Sequence, residues 1–314
     1  MDHALWPQMT TKLYIDQTGD VEILNRQAPY FKDAQAVRGT QIDAEYQPEQ
    51  GGWQRTSQGE VYTGTILEHL LIEQLAAFYE VGEHNICRLR GADWNDALDM
   101  AAERGESVAF TCAYAGNLRE LAGMIRLLEK TTGSKTTQVL EELLVLCGDQ
   151  TETFDDARAK QTILTQYAAR CAHQISGKRV EVCLSDLADS LEQKADWLTG
   201  WLRKHEWICA GTAEGWYNSY YDNHGRAVEG IFPEGVRMML TGQVFAIMGG
   251  VATDQQIRRI TASADHYLYR REIGGYRLNT DFPEQKFDLG RMFGFAYGEK
   301  ENGAVFSHMA VMYA

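Results

Sequence analysis

Several residue types and patterns are scarce in this sequence, and each shortage excludes a class of protein. Only 5 prolines occur in 314 residues, so no proline-rich linker divides the chain and we expect one domain. The 6 cysteines are scattered without CxxC spacing, which argues against a disulfide framework. No apolar stretch is long enough to span a bilayer, and the N-terminus lacks a signal-peptide pattern. We therefore expect a reduced, cytoplasmic protein.

Positive charge is also scarce. The chain has 30 Lys and Arg against 44 Asp and Glu, a net charge of -14. The electric field of this negative net charge repels phosphate backbones and anionic lipids, so neither nucleic acid nor a membrane is an expected partner. An anionic substrate would need a locally basic pocket. His84 and Cys87 offer ligand atoms without a second pair, so we expect no metal site.

Helical periodicity dominates the chain, and long aromatic-rich loops join the helices. This pattern predicts a helical barrel with its functional site on the loops. The chain stops inside an apolar helix and starts at the edge of another, so we expect a domain truncated at both ends. The predicted helices are 3–18, 65–82, 107–130, 136–147, 153–175, 185–204, 236–251, 254–269 and 302–314, with a β-hairpin at 216–230.

The most informative segment is the acidic run from Arg90 to Asp99. Asp93, Asp96 and Asp99 stand three residues apart, and Trp94 follows the first of them. An aromatic ring covers an apolar sugar face, while a carboxyl supplies a proton, so the run is typical of a sugar-cleaving site. Alternatively, Asp96 is a helix N-cap and Asp99 completes a capping box. The residue pattern leaves both interpretations open.

A second informative segment, the donor run, extends from Lys300 to His308. Glu301 and His308 are two helical turns apart and can face one side of a helix. Lys300, Ser307 and His308 are donors that can bind an anion at a helix start. The alternative is again helix capping, with His308 as a hydrogen-bonded core histidine.

The two runs together resemble glycoside hydrolase family 94, the inverting β-glucoside phosphorylases. The resemblance rests on Gly91 to Asp96 and on Lys300 to His308, in that order and at that separation. Asp2 to Trp6 and Trp216 to Gly225 also fit, so the resemblance covers nearly the whole chain. The amino-acid sequence from Ala92 to Ala101 is most similar to that of 1,2-β-oligoglucan phosphorylases and less similar to that of cellobiose and chitobiose phosphorylases.

The resemblance implies an all-α fold, an (α/α)6 barrel that is incomplete here and carries a small β-hairpin insertion. A single catalytic domain would span 1–314, without the N-terminal β-sandwich of the family. The resemblance implies no cofactor. It implies two substrates, a β-gluco-oligosaccharide and inorganic phosphate. Whether the chain forms a homodimer is left open. It assigns the site as follows: Asp96 is the proton donor, Asp2, Asp93, Trp94 and Glu301 bind sugar, and His308 binds phosphate.

Two other functions remain open at this stage. An inverting glycosidase would use Glu301 as the base that activates water. Phosphate, by contrast, is already an anionic nucleophile and needs no base. A non-catalytic sugar-binding barrel is the third hypothesis.

Overall fold

A computed structural model describes residues 2–148 and 151–314. Helices predominate in this part of the chain, as predicted, and short 3₁₀ helices accompany them. None of its helices is long and apolar enough to cross a membrane. The α-helices are α1 (Leu5–Thr18), α2 (Ile66–Tyr79), α3 (Val108–Thr132), α4 (Leu144–Cys147), α5 (Ala157–Arg170), α6 (Leu184–His205), α7 (Leu240–Met248), α8 (Asp254–Tyr267) and α9 (Ser307–Tyr313).

Short antiparallel strand pairs connect these helices. They are more numerous than the single hairpin predicted from the sequence. The strands are β1 (Gln27–Pro29), β2 (Gln35–Ala36), β3 (Gln41–Ile42), β4 (Thr63–Thr65), β5 (Glu106–Ser107), β6 (Thr136–Leu140), β7 (Arg179–Cys183), β8 (Trp207–Ala210), β9 (Glu214–Tyr217), β10 (Tyr220–Tyr221), β11 (Gly230–Phe232), β12 (Gly235–Arg237), β13 (Tyr269–Arg270) and β14 (Gly275–Tyr276). They pair as β1–β4, β2–β3, β5–β10, β6–β7, β8–β9, β11–β12 and β13–β14.

Two predicted helices differ from the structure. Residues 136–140 form strand β6 rather than a helix, because their β-branched side chains support a five-residue ladder with β7. The last helix begins at Ser307, not at Asn302. Lys300 and Gly303 both have positive φ angles (48° and 80°), so the chain turns there and cannot be helical.

The predicted hairpin at 216–230 is confirmed at its centre. The N–H of Gly225 donates to the Asp222 carbonyl (2.9 Å), and that of Val228 donates to the Tyr220 carbonyl (3.0 Å). Gly225 has a φ of 71°, which a glycine adopts without strain. The outer segments pair elsewhere: Trp216 lies in β9 beside β8, and β10 also pairs with β5.

The chain divides into two compact units. Unit 1 is formed mainly by Val81–Asn117 and Ala195–Ala314, and unit 2 by Ala4–Glu80 and Leu118–Lys194. The single domain over 1–314 stays a prediction. Unit 2 packs around Tyr62, Leu140 and Ile175. An apolar cluster in unit 1 contains Trp216, Met238, Leu240, Val244, Ala264, Leu268, Leu278 and Met309.

Candidate active site

The acidic run folds as a loop in unit 1, and we call residues 91–100 the acidic loop. Asp93 anchors it: the side chain is 2% exposed, and Oδ1 accepts the N–H of Asn95 (2.9 Å). Oδ2 accepts the hydroxyl of Ser107 (2.9 Å), the residue that immediately precedes α3. The Asn95 side chain in turn accepts the N–H of Ala97 (3.1 Å). These side chains hydrogen-bond the backbone two residues on and so hold it in turns instead of a helix.

The capping interpretation of Asp96 is therefore wrong, because no helix begins there. Asp99 does not complete a capping box either. Its carboxylate accepts the N–H of Arg291 (3.2 Å) and pairs with the Arg291 guanidinium. The loop is thus fixed at Asp93 on one side and at Asp99 on the other.

Backbone contacts strengthen this second attachment. The N–H of Met100 donates to the Leu289 carbonyl (3.2 Å), and that of Met292 donates to the Ala97 carbonyl (3.1 Å). A Cβ atom on Gly290 would lie 2.1 Å from the Ala97 oxygen, so only glycine permits this approach.

Asp96 lies at the exposed turn between these attachments. Within residues 2–148 and 151–314, no group donates a hydrogen bond to its carboxyl or forms an ion pair with it. A fixed backbone with a free carboxyl leaves Asp96 available to a ligand, and a general acid must reach its substrate in this way.

Trp94 joins the acidic loop to the donor run. Its ring lies edge-on to that of His308, with centroids 4.7 Å apart and an interplanar angle of 64°. Trp94 also packs against the apolar cluster in unit 1, which contains the fully buried Met309. His308 is exposed on α9, so the interpretation of it as a core histidine is wrong. Two segments whose contacting residues are 214 positions apart in the sequence therefore meet here.

Glu301 occupies the turn before α9. The N–H of Asn302 donates to the Glu299 carbonyl (3.1 Å), and the Asn302 side chain donates to the Phe295 carbonyl (2.9 Å). Glu301 is half-buried, and no described residue hydrogen-bonds its carboxyl. Because the helix begins only at Ser307, the predicted helical alignment of Glu301 with His308 is wrong.

Asp2 begins a short 3₁₀ helix, Asp2–Ala4, and its side chain lies outside the described ones. No group of three or more His, Cys, Asp or Glu that could hold a metal ion occurs among the residues that the structure describes.

The sequence interpretation missed two residues that face Asp93. Ser107 and Tyr220 are directly opposite each other in the β5–β10 pair, so their side chains share one face. Both are fully buried. Burial raises the pKa of Tyr220 well above its ordinary value, and the negative charge of Asp93 raises it further. The period-2 alternation of strands could have suggested this pair, but two-residue strands give almost no sequence signal.

The opposite face of the same strand pair carries a cluster of titratable groups. Glu106 accepts a hydrogen bond from His84 Nδ1 (2.5 Å), and the His84 ring stacks on Tyr221 at 3.7 Å. The Tyr221 hydroxyl donates to Glu206 (3.0 Å). Burial raises the pKa of Glu206 to about 7, and hydrogen bonds from Tyr221 and Asn218 oppose this shift. Burial would lower the pKa of His84, but the hydrogen bond to Glu106 raises it.

Comparison with known proteins agrees with this geometry. Residues 42–145 and 167–313 match the family described as "Glycosyl hydrolase 94 superfamily, catalytic domain". The chain belongs to this family. Its matched segments include the acidic loop, the donor run and both faces of the β5–β10 pair.

Three curated relatives are similar along almost the whole chain. A solabiose phosphorylase of Paenibacillus borealis is 22% identical over 310 residues, which is 98% of this chain and 29% of that protein. A 3-O-beta-D-glucopyranosyl-beta-D-glucuronide phosphorylase of the same organism is 22% identical, over 100% and 30% of the two chains. An N,N'-diacetylchitobiose phosphorylase of Vibrio proteolyticus is 21% identical, over 98% and 27%. The chain spans less than a third of the length of these relatives.

The raised pKa values of Glu206 and His84, on the face of the β5–β10 pair opposite Asp93, predict that the free energy of unfolding falls as the pH rises through neutrality. Between the ordinary pKa of 4.5 and about 7, folded Glu206 keeps a proton that the unfolded chain has released. The raised pKa of His84 acts in the same direction, because its contribution is lost as the pH rises through the folded value.

Glu206→Gln should therefore flatten this fall. The measurement is urea unfolding at several values between about pH 5 and 8. The exposed Glu60→Gln is the control and should follow the wild type. A slope in Glu206→Gln as steep as that of the wild type would contradict the assignment.

Proposed function

We propose that this chain is the catalytic domain of an inverting glycoside phosphorylase, built on the (α/α)6 barrel implied by the resemblance. The substrate is a β-gluco-oligosaccharide, with β-1,2-glucan as the preferred candidate, and the product is α-D-glucose 1-phosphate. The observation that carries this proposal is the free Asp96 carboxyl on an anchored loop beside the Trp94–His308 contact. No cofactor takes part. The cytoplasmic location and a homodimer stay predictions.

The proposed reaction needs one acid and one bound anion. Asp96 gives its proton to the glycosidic oxygen while a phosphate oxygen attacks the anomeric carbon from the opposite face. The bond between carbon and glycosidic oxygen breaks, a carbon–phosphate-oxygen bond forms, and the anomeric configuration inverts. The phosphate supplies the electron pair, so no protein base is required.

The remaining site residues bind the two substrates. Trp94 covers an apolar face of the glucosyl unit, and Asp2 and Glu301 contact its hydroxyls. Asp93, which the resemblance also assigns to sugar binding, is buried and hydrogen-bonded to Asn95 and Ser107, so it acts by fixing the loop that carries Trp94. His308 binds phosphate together with the neighbouring donors of the donor run. The exposure of His308 supports this assignment, since an exposed ring can reach a ligand.

One observation favours a second candidate, an inverting β-glucoside hydrolase. Glu301 has a carboxyl that no described residue hydrogen-bonds, and such a group could activate water. The two functions differ in their need for phosphate.

Phosphorolysis of β-1,2-, β-1,3- and β-1,4-linked oligoglucosides by the full-length protein tests the proposal. Glucose 1-phosphate should form only when phosphate is present, and most rapidly from the β-1,2 linkage. Release of reducing sugar at an equal rate without phosphate would favour the hydrolase. Binding of the same sugars without any turnover would favour a sugar-binding protein, and a faster β-1,4 reaction would indicate a cellobiose-type enzyme.

Asp96→Asn in the full-length enzyme should separate acid catalysis from positioning. The substitution keeps the shape and removes the proton, so kcat on an alkyl-linked glucan should fall by about 10²–10⁴-fold. A substrate with an acidic phenol leaving group needs little protonation and should lose far less.

Asp93→Asn is the matched comparison. It weakens the hydrogen bonds that fix the loop and should slow both substrates alike. Turnover close to the wild type in Asp96→Asn would remove the catalytic assignment of Asp96.

His308→Ala should raise the KM for phosphate roughly tenfold to a hundredfold, the range expected for one lost hydrogen bond to a charged group. The KM for glucan should change much less. His266→Ala, at an exposed histidine in the same unit that pairs with Glu214, is the control. Equal increases in both KM values would show that His308 does not select phosphate.

A further inference from the structure

We infer that Glu229, a buried residue outside both sequence runs, is a positioning residue that holds the acidic loop in its working geometry. This inference deepens the proposed function and rests on it for its kinetic consequences. Among the described residues, Glu229 hydrogen-bonds Asn218, Ser219 and Met239 rather than the loop itself, so its influence passes through three linked hydrogen-bonded segments.

The first link joins two backbone segments through the Glu229 carboxyl. The side chain is buried; Oε2 accepts the N–H of Ser219, and Oε1 accepts the N–H of Met239 (2.5 Å). Met239 immediately precedes α7. The N–H of Glu229 donates to the side chain of Asn218 (3.3 Å). One carboxyl therefore ties the segment before β10 to the start of α7.

The second link runs from Ser219 to α3. The Ser219 carbonyl accepts the N–H groups of Val108 (2.9 Å) and Ala109 (3.2 Å), which open that helix and have no intrahelical partner. Its hydroxyl oxygen accepts the N–H of Gly242 (3.1 Å). A Cβ atom on Gly242 would lie 2.3 Å from that oxygen, so the contact leaves Ser219 little room to move.

The third link runs from the start of α3 to the acidic loop. Ser107, adjacent to Val108, donates its hydroxyl to Asp93 and accepts the N–H of Phe110 (3.2 Å). Tyr220, adjacent to Ser219, lies opposite Ser107 in the β5–β10 pair. A shift of Ser219 would therefore displace both side chains that face Asp93.

The chemistry of the carboxyl explains why glutamate suits this position. Both oxygens of the ionised carboxyl accept a backbone N–H, whereas a glutamine amide offers one acceptor and one donor. Burial raises the pKa of Glu229 to about 8, and the hydrogen bonds from Ser219 and Met239 favour the ionised form. Glu229→Gln keeps the volume and sets an NH₂ group against one of the two N–H donors. The variant should release either Ser219 or Met239 from its attachment.

Hydrogen exchange followed by mass spectrometry tests the positioning directly. In full-length Glu229→Gln, amides of residues 91–100 should exchange about tenfold faster than in the wild type, the factor expected for one lost buried hydrogen bond. Glu142→Gln is the matched control, because buried Glu142 accepts the N–H (2.6 Å) and the hydroxyl (3.0 Å) of Ser176 in unit 2. Exchange of residues 91–100 should not change in this control.

The kinetic constants kcat and KM provide a second measurement, which a purely structural role of Glu229 would leave unchanged. Glu229→Gln should lower kcat on an alkyl-linked glucan by roughly 10²-fold, the effect of a displacement near 1 Å, while the glucan KM changes little. In Glu229→Gln/Ser107→Ala the two losses should not add, because both variants interrupt one path. Glu142→Gln should retain the wild-type kcat.

The outcomes separate this inference from the proposed function. If the wild type makes no glucose 1-phosphate, the proposed function fails, and the exchange measurement still decides the positioning role. Faster exchange confined to residues around 219–242, with residues 91–100 unchanged, would overturn the inference. So would fully additive losses in the double variant.

If Glu229→Gln does not fold, Glu229→Asp replaces it. Aspartate keeps both acceptor oxygens but withdraws them by one methylene, so exchange at residues 91–100 should increase by a smaller factor. Exchange identical to the wild type in a folded Glu229→Asp, with loosening around Ser219, would also overturn the inference.

Discussion

The candidate site depends first on the hydrogen bond from Ser107 to Asp93. The turns made by Asp93 and Asn95 are local, so they can shape the acidic loop but cannot fix its place in the protein. Ser107 fixes the position of the acidic loop relative to α3, because its hydroxyl donates to Asp93 and also accepts the N–H of Phe110 in the first turn of that helix. A rigid helix of 25 residues thereby sets the position of Trp94 and of the carboxyl two residues beyond it.

The β5–β10 pair separates two kinds of carboxyl chemistry with a single backbone layer. Ser107 and Tyr220 face the acidic loop, whereas Glu106 and Tyr221 face the cluster that contains His84 and Glu206. Glu206, whose pKa burial raises to about 7, thus lies behind the layer, and the exposed Asp96 lies in front of it. On one face, burial and hydrogen bonding of Glu206 and His84 contribute to stability. On the other face, Asp96 has no partner within the described part of the chain and is available for the proposed reaction.

The sequence predicted the long periodic helices well and the short elements poorly. Periodicity identifies α3 and α8, but it cannot distinguish a helix from a strand over residues 136–140, where pairing with β7 decides. The role of Asp96 is ambiguous in the sequence because caps and acids use the same residue, and the absence of a helix removes only the capping alternative. The resemblance assigned Trp94 and His308 to one site without predicting their contact, and no local pattern links residues 214 positions apart. Ser107 and Glu229 carry no motif, so their roles emerge only from tertiary contacts.

Charge pairing explains where an acidic protein can offer an anion site. Near the acidic loop, Arg291 pairs with Asp99, and Lys286 contacts Asp222 (2.7 Å) and Asp288 (3.0 Å), so these cations are offset. Lys300 lies over the Phe295 ring (4.6 Å), and no carboxylate among the described residues pairs with it. Lys300 is therefore an unpaired cation of the donor run, where His308 is also exposed and Glu301 lies next to Lys300 in the sequence. Because an anionic nucleophile needs cationic or N–H donors and water does not, the proposed phosphate site depends on the unpaired Lys300 and the exposed His308.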